Sequence, residues 1–100
     1  MKSGIEIISE ERERQIAVEG WSSEHDDQHT DEELAQAAAT YVYPDRLAYP
    51  GRDEVWPENW DSEWFKPTFH LGIQGRIKEL AKAGALIAAE IDRLGRLAIT

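Results

Sequence analysis

This chain of 100 residues is short enough to form one domain, and it contains no cysteine, so disulfides and thiolate metal sites are excluded. Twenty acidic side chains against eleven basic ones give a net charge of −9 at pH 7. The charge is uneven, because residues 1–33 hold eleven acids and only three bases. Such an acidic segment repels nucleic acid and favours basic protein surfaces as partners. No apolar run is long enough for a signal peptide or a membrane span, so we expect a soluble, cytoplasmic protein that does not associate with membranes.

The first predicted helix covers residues 9–19. Ser9 is a suitable N-cap, acidic residues follow it in the first turn, and Gly20 is a suitable stop. The apolar positions repeat only weakly, so we expect this helix to lie at the periphery.

Residues 21–29 are predicted to form a loop, and a second helix is predicted over residues 31–43. Thr30 followed by Glu33 fits a capping box, and Pro44 closes the helix. The face of this helix is rich in alanine, so it is suited to close packing against the long C-terminal helix described below.

The next stretch contains prolines and glycine and is predicted to be irregular, with a short helix over residues 58–65. Its aromatic residues could form a recognition patch, but we expect them mainly to complete a thin core, with one tryptophan reaching the surface. They are Tyr49, Trp56, Trp60, Trp64 and Phe65.

The longest predicted helix covers residues 74–94 and organises the fold. Steps of four and three residues place one set of side chains on a single stripe: Ile73, Ile77, Leu80, Gly84, Ile87, Ile91 and Leu94. We expect this stripe to face the core, with the closest helix contact at Gly84 and a left-handed C-cap at Gly95. The sequence thus predicts a mainly α, single-domain fold over residues 1–100, with a long C-terminal core helix and an irregular Trp-rich connection.

The densest polar cluster is EHDDQH at residues 24–29. Its imidazoles and carboxylates are of the types that ligate divalent metals, which leaves a metal-dependent nucleotide hydrolase as one alternative. The simpler interpretation, which we favour, is a solvated capping loop without metal or cofactor.

Paired acids on packed helices suggest a second route to the same activity. Nucleotide pyrophosphohydrolases of the MazG type hold magnesium with two such pairs, and Glu10 with Glu13 would supply one. The second pair should be a glutamate with an aspartate three residues later, but Glu79 is followed by Lys82. We therefore expect the helical acids to be solvated and the protein not to be an enzyme.

Several segments together resemble a family of small phage and prophage proteins: ERERQI at 11–16, EGW at 19–21, EHDDQH at 24–29, EELAQAAATY at 32–41, WFKP at 64–67 and KAGALIAAEIDRL at 82–94. Within that type, a short, acidic chain without cysteine is similar to anti-CRISPR proteins directed at type I-F surveillance complexes. The resemblance implies a phage-encoded inhibitor acting in the cytoplasm of the host cell.

The leading hypothesis is therefore a DNA mimic that binds the basic nucleic-acid-binding surface of a host CRISPR surveillance complex and blocks target DNA, without binding nucleic acid itself. An adaptor in phage replication or packaging is a further alternative. The predicted partner-binding residues are the acids of the N-terminal third: Glu10, Glu11, Glu13, Glu24, Asp26, Asp27, Asp31, Glu32 and Glu33. Asp26, Asp27, Glu32 and Glu33 are expected to be exposed, and binding energy is expected to concentrate in a few residues.

Overall fold

The computed structural model describes residues 2–46 and 51–99, and within those ranges the chain is helical and contains no strand. Four α-helices follow one another: α1 (Gly4–Glu19), α2 (Ser23–Asp27), α3 (Glu33–Val42) and α4 (Ile73–Ala98). Three short 3₁₀ helices, Arg52–Val55, Ser62–Trp64 and Phe69–Leu71, lie between α3 and α4. The predicted mainly α fold, with its long C-terminal helix and irregular Trp-rich connection, is confirmed. No helix in the described ranges combines the length and apolar character needed to cross a membrane.

The other helices pack around α4, which contacts α3 most extensively and also contacts α1 and α2. The core cluster comprises Leu34, Ala37, Ala38, Tyr41, Trp56, Trp60, Ala83, Leu86 and Ala89. Four of these nine residues are alanines on α3 and α4. Short side chains let two helix backbones approach closely, so the predicted pairing of the Ala-rich helix with the central helix is confirmed.

The face of α4 that was predicted to be buried is mostly exposed, which corrects the sequence prediction. Ile73, Leu80, Ile87, Ile91 and Leu94 are all exposed, and Ile91 retains 63% of its accessible surface. The buried face instead runs through Glu79, Ala83, Leu86, Glu90 and Arg93.

The close helix contact expected at Gly84 does occur, but it is made by α1. A Cβ atom at position 84 would lie only 2.6 Å from Cδ1 of Ile8.

Ion pairs explain why α4 buries a face that contains charged residues. Arg52 Nη1 lies 3.1 Å from Glu79 Oε2, and Arg76 Nη1 lies 3.0 Å from Glu79 Oε1. Burial alone would raise the pKa of Glu79, but hydrogen bonds from Arg76 and the backbone N–H of Thr68, with the charge of Arg52, lower it. Glu90 is paired in the same way with Arg93, at 2.6 Å. The expectation that the acids of α4 are solvated is therefore wrong for both glutamates.

The same arginines anchor the C-terminal end of α3. Arg52 donates hydrogen bonds to the carbonyl oxygens of Thr40 and Tyr41, and Arg76 donates to those of Tyr41 and Val42. The last carbonyls of a helix have no partner within the helix, and cations are favourable there. Arg52 and Arg76 therefore tie α3 to the connection that follows it and to α4.

The ends of α1 differ from the prediction at one terminus only. Ser3, rather than Ser9, is the N-cap, and it forms a capping box with Glu6. Gly20 ends the helix in the left-handed conformation, with φ of 71°, as predicted. Most side chains of α1 are exposed or half-buried, which agrees with the predicted peripheral position.

The ends of α3 and α4 differ more. α3 begins after Glu32, which has a positive φ of 61° and provides no side-chain cap, so the predicted Thr30 capping box is wrong. α3 ends just before Pro44, as predicted. α4 continues through Gly95 to Ala98, so the predicted C-cap at Gly95 is wrong.

The Trp-rich connection contains less helix than predicted, because within residues 58–65 only Ser62–Trp64 is helical. Trp56 and Trp60 are buried in the core, whereas Trp64 is 54% exposed. This confirms that the tryptophans mainly complete the core while one reaches the surface. Tyr49, also assigned to the aromatic patch, lies outside the described residues.

Candidate functional site

The segment EHDDQH at residues 24–29 forms most of α2 and the turn after it, not the solvated loop that was predicted. Ser22 caps the helix, because its hydroxyl accepts a hydrogen bond from the backbone N–H of His25. Asp26 has no accessible surface. Its carboxylate lies 2.8 Å from Arg12 Nη2 and 3.1 Å from His25 Nδ1, so it fastens α2 to α1.

The acids and histidines of this segment do not assemble into a metal site. Among the residues that the structure describes, no group of three or more His, Cys, Asp or Glu side chains is arranged to hold a metal ion. The two histidines instead belong to a row of aromatic contacts. His25 stacks on Trp21 with ring centroids 5.6 Å apart, and His29 lies 4.9 Å from both His25 and Trp60. Burial, followed by the nearby charge of His25, lowers the pKa of His29.

Two of the nine predicted partner-binding acids are buried, so their expected exposure is wrong. Asp26 is enclosed by its contacts with Arg12 and His25. Glu33 accepts hydrogen bonds from the side chain of Asn59 and from the backbone N–H of Asp31. Burial alone would raise the pKa of Glu33, but these hydrogen bonds lower it. Both carboxylates stabilise the fold rather than face a partner.

Three more of the nine acids are engaged in ion pairs on the surface or at its edge. Glu10 pairs with Lys2, Glu11 with Arg14, and Asp27 with Arg96. The Asp27–Arg96 pair, at 2.6 Å, joins α2 to the last turns of α4. These carboxylates are already partly neutralised within the chain.

The remaining four acids form the set that we call the free carboxylates: Glu13, Glu24, Asp31 and Glu32. All four are exposed, and none has an ion-pair partner within residues 2–46 and 51–99. They lie on α1, on α2 and in the turn before α3. No ion pair within those ranges neutralises their charges, although Glu24 accepts a hydrogen bond from the Ser23 hydroxyl at 3.5 Å.

A pocket of about 300 Å³ lies between α1, α2, the Trp-rich connection and α4. Its aromatic wall is formed by Trp21, His25, His29, Tyr41, Trp60 and Trp64, and its charged side chains are Glu11, Arg14, Glu19, Lys66 and Lys82. Burial lowers the pKa of Lys82, and its ammonium nitrogen lies 5.5 Å from the ring centroid of Tyr41. This pocket could not be predicted from the sequence, because its residues come from distant segments that share no periodic pattern.

Neither a protein-family model, nor a curated protein, nor a solved structure matches this chain.

Proposed function

We propose that this chain is a non-enzymatic phage inhibitor, whose free carboxylates bind the basic nucleic-acid-binding surface of a protein complex in the host cytoplasm. Occupation of that surface prevents the nucleic acid from binding. The observation that carries the proposal is that four of the nine predicted acids are exposed and form no ion pair within the described ranges. The resemblance to anti-CRISPR proteins suggests the type I-F CRISPR surveillance complex as the first partner to test.

Lysine and arginine side chains that bind nucleic acid neutralise phosphate charges, and carboxylates without an internal cation offer them a similar contact. The pairing pattern therefore ranks the predicted acids. Carboxylates that already contact an arginine or lysine gain less from a second cation, because the first cation already neutralises part of their charge. Salt weakens such exposed contacts further. Helical backbone around the free carboxylates on α1 and α2 holds their positions fixed, which limits the ordering cost of binding.

The test compares two variants that carry the same change in charge. The first replaces Glu13, Glu24, Asp31 and Glu32 with lysine. The control replaces Asp53, Glu54, Glu58 and Glu63 with lysine; these four are also exposed and lie in the connection between α3 and α4. Both variants carry the same net charge, so a difference in their affinity for the complex reports the position of the substitutions and not the total charge.

The assay measures displacement of labelled target DNA from the purified surveillance complex over a series of salt concentrations. We expect the wild-type chain to displace DNA, less so at high salt, and the first variant to bind about tenfold or more weakly than the control variant. Simultaneous occupation of the complex by DNA and this chain would refute the proposal. If the purified complex binds neither variant nor wild type, a pull-down from host lysate with the wild type and the first variant as baits identifies partners that depend on the four acids.

A further inference from the structure

We infer that the pocket between α1, α2, the Trp-rich connection and α4 is a binding site for a small heteroaromatic anion, meaning a planar ring with hydrogen-bonding groups and one anionic substituent. This site is separate from the free carboxylates, none of which lines it. Its volume of about 300 Å³ is at the small end of ligand sites, which suits a molecule of one or two rings.

The aromatic wall specifies the planar part of the ligand. Trp60 and Trp64 lie with ring centroids 5.8 Å apart, and Trp64 is 54% exposed beside the pocket. An exposed indole face next to an enclosed aromatic wall is a favourable surface for stacking a ring, and stacking of this kind tolerates many ring types.

The cations specify the charge of the ligand. Arg14 lies 2.7 Å from Glu11 and 3.2 Å from Glu19, so these three side chains together carry one negative charge. With Lys66 and Lys82, the two acids and three bases of the pocket give a net charge of +1. Lys66 and Lys82 also line the pocket, and neither forms an ion pair within the described ranges. An ammonium group that is partly desolvated and unpaired favours an anionic partner.

A neighbouring depression shows where the anionic substituent would lie. It shares Glu11, Arg14, Glu19, Lys66 and Lys82 with the pocket and continues over Lys78 and Thr68. The two lysines therefore stand where the aromatic pocket opens toward the second depression. A ring placed against the tryptophans would direct its anionic group to this point.

Two buried polar atoms in the pocket wall have no hydrogen-bond partner. They are the side-chain oxygen of Gln15, an acceptor, and the indole N–H of Trp60, a donor. Gln15 retains only 2% of its accessible surface and Trp60 only 7%. Buried polar groups are rarely left without a hydrogen bond. A ring edge with a donor for the Gln15 oxygen and an acceptor for the Trp60 N–H would satisfy both, in direct contact or through an ordered water. This requirement distinguishes a heteroaromatic ring from a hydrocarbon ring.

The experiment titrates the full chain with two probes, adenosine 5′-monophosphate and orotate, and follows the four indole N–H signals by ¹H–¹⁵N NMR. Trp21, Trp60 and Trp64 line the pocket, whereas the indole of Trp56 donates to the carbonyl of Asp61 and serves as the internal control. We expect saturable shifts for the pocket tryptophans, largest at Trp60, and little change at Trp56. A preference for adenosine 5′-monophosphate identifies a nucleotide ligand, and a preference for orotate identifies a free heteroaromatic carboxylate.

Two variants and their controls establish the site. Trp64→Ala, at an exposed position, should weaken binding roughly 5- to 100-fold. Lys82→Met should weaken it about tenfold. Arg46→Met removes a cation at an exposed position that lines neither the pocket nor the neighbouring depression, and it should leave binding unchanged. Inorganic phosphate and uncharged adenosine should bind more weakly than the complete probe. The inference is overturned if neither probe gives saturable shifts up to about 1 mM, or if folded Trp64→Ala and Lys82→Met proteins bind as well as the wild type.

Discussion

Leu86 and Ile87 are neighbours on α4, yet the structure assigns them opposite roles in stability. Leu86 is 1% exposed and belongs to the core between α3 and α4, whereas Ile87 is 46% exposed on the apolar stripe. The sequence periodicity predicted the reverse, with Ile87 on the core face. Replacing each residue with alanine therefore decides which face of α4 is buried.

The magnitude for Leu86→Ala follows from its surroundings. Removing a buried leucine side chain costs about 2–5 kcal/mol, and the cost rises with the cavity that remains. Many neighbours in this cluster are alanines, which have no side-chain torsion with which to refill the space. We therefore expect a loss in the upper half of that range, about 4 kcal/mol.

Ile87→Ala should cost far less. About half of the side chain is already in water, so the lost burial is worth about 1 kcal/mol, and alanine's higher helix propensity offsets part of it. Urea denaturation followed by circular dichroism at low temperature measures both free energies of unfolding. Repeating it at two protein concentrations shows whether the stripe is covered by self-association. Equal losses for the two variants at both concentrations would refute the assignment of the buried face.

Two further predictions concern a close backbone contact and a histidine. Gly75→Ala should cost about 1–3 kcal/mol or more, because its Cβ would clash with the backbone oxygen of Thr68. Gly84→Ala should cost less, because its Cβ meets Cδ1, Cγ1 and Cγ2 of the Ile8 side chain, which can shift more readily than backbone, and alanine favours the helix. The reverse order in urea denaturation would contradict this. The lowered pKa of His29 means that the unfolded chain binds a proton at higher pH than the folded chain. Its contribution to stability is therefore present above the unfolded pKa of about 6.5 and is lost as the pH falls through the folded pKa. His29→Gln should flatten the fall in melting temperature between neutral and mildly acidic pH, and an unchanged slope would show that another group is responsible.

Local signals in the sequence identified most of the helices but not all of their ends. Gly20 and Pro44 stop helices through backbone restrictions that act wherever the residue occurs, so they were interpreted correctly. Ser3 and Ser9 are chemically equivalent caps, and the choice between them depended on how far the helix extends. Gly95 lies inside α4, because the helix continues for three more residues and a glycine does not by itself end a helix.

The predicted partner-binding acids show a different limit of prediction from sequence. Asp26 and Glu33 lie in the same acidic segment as Asp31 and Glu32, and nothing local distinguishes the four carboxylates. In the fold, Asp26 and Glu33 are buried whereas Asp31 and Glu32 are exposed. Asp26 is buried because Arg12, fourteen residues earlier, reaches it from α1. Such a long-range partner cannot be inferred from local charge density. The binding surface that we propose is correspondingly smaller than the acidic third as a whole.

The orientation of α4 was mispredicted for a related reason. Hydrophobic periodicity assumes that charged residues mark the solvent side of a helix. On α4 that assumption fails, because Glu79 is neutralised by Arg52 and Arg76, and Glu90 by Arg93, so the face with these residues can be buried against α3. Arg52 lies twenty-seven residues from Glu79, in a stretch without regular periodicity. Its guanidinium also binds the final carbonyls of α3, so the residue that permits burial of Glu79 is also the one that fixes α3 against it. Buried face and helix packing are thus determined together by this long-range contact, which places the alanines of α3 and α4 in the core and leaves the isoleucines and leucines of the stripe outside it.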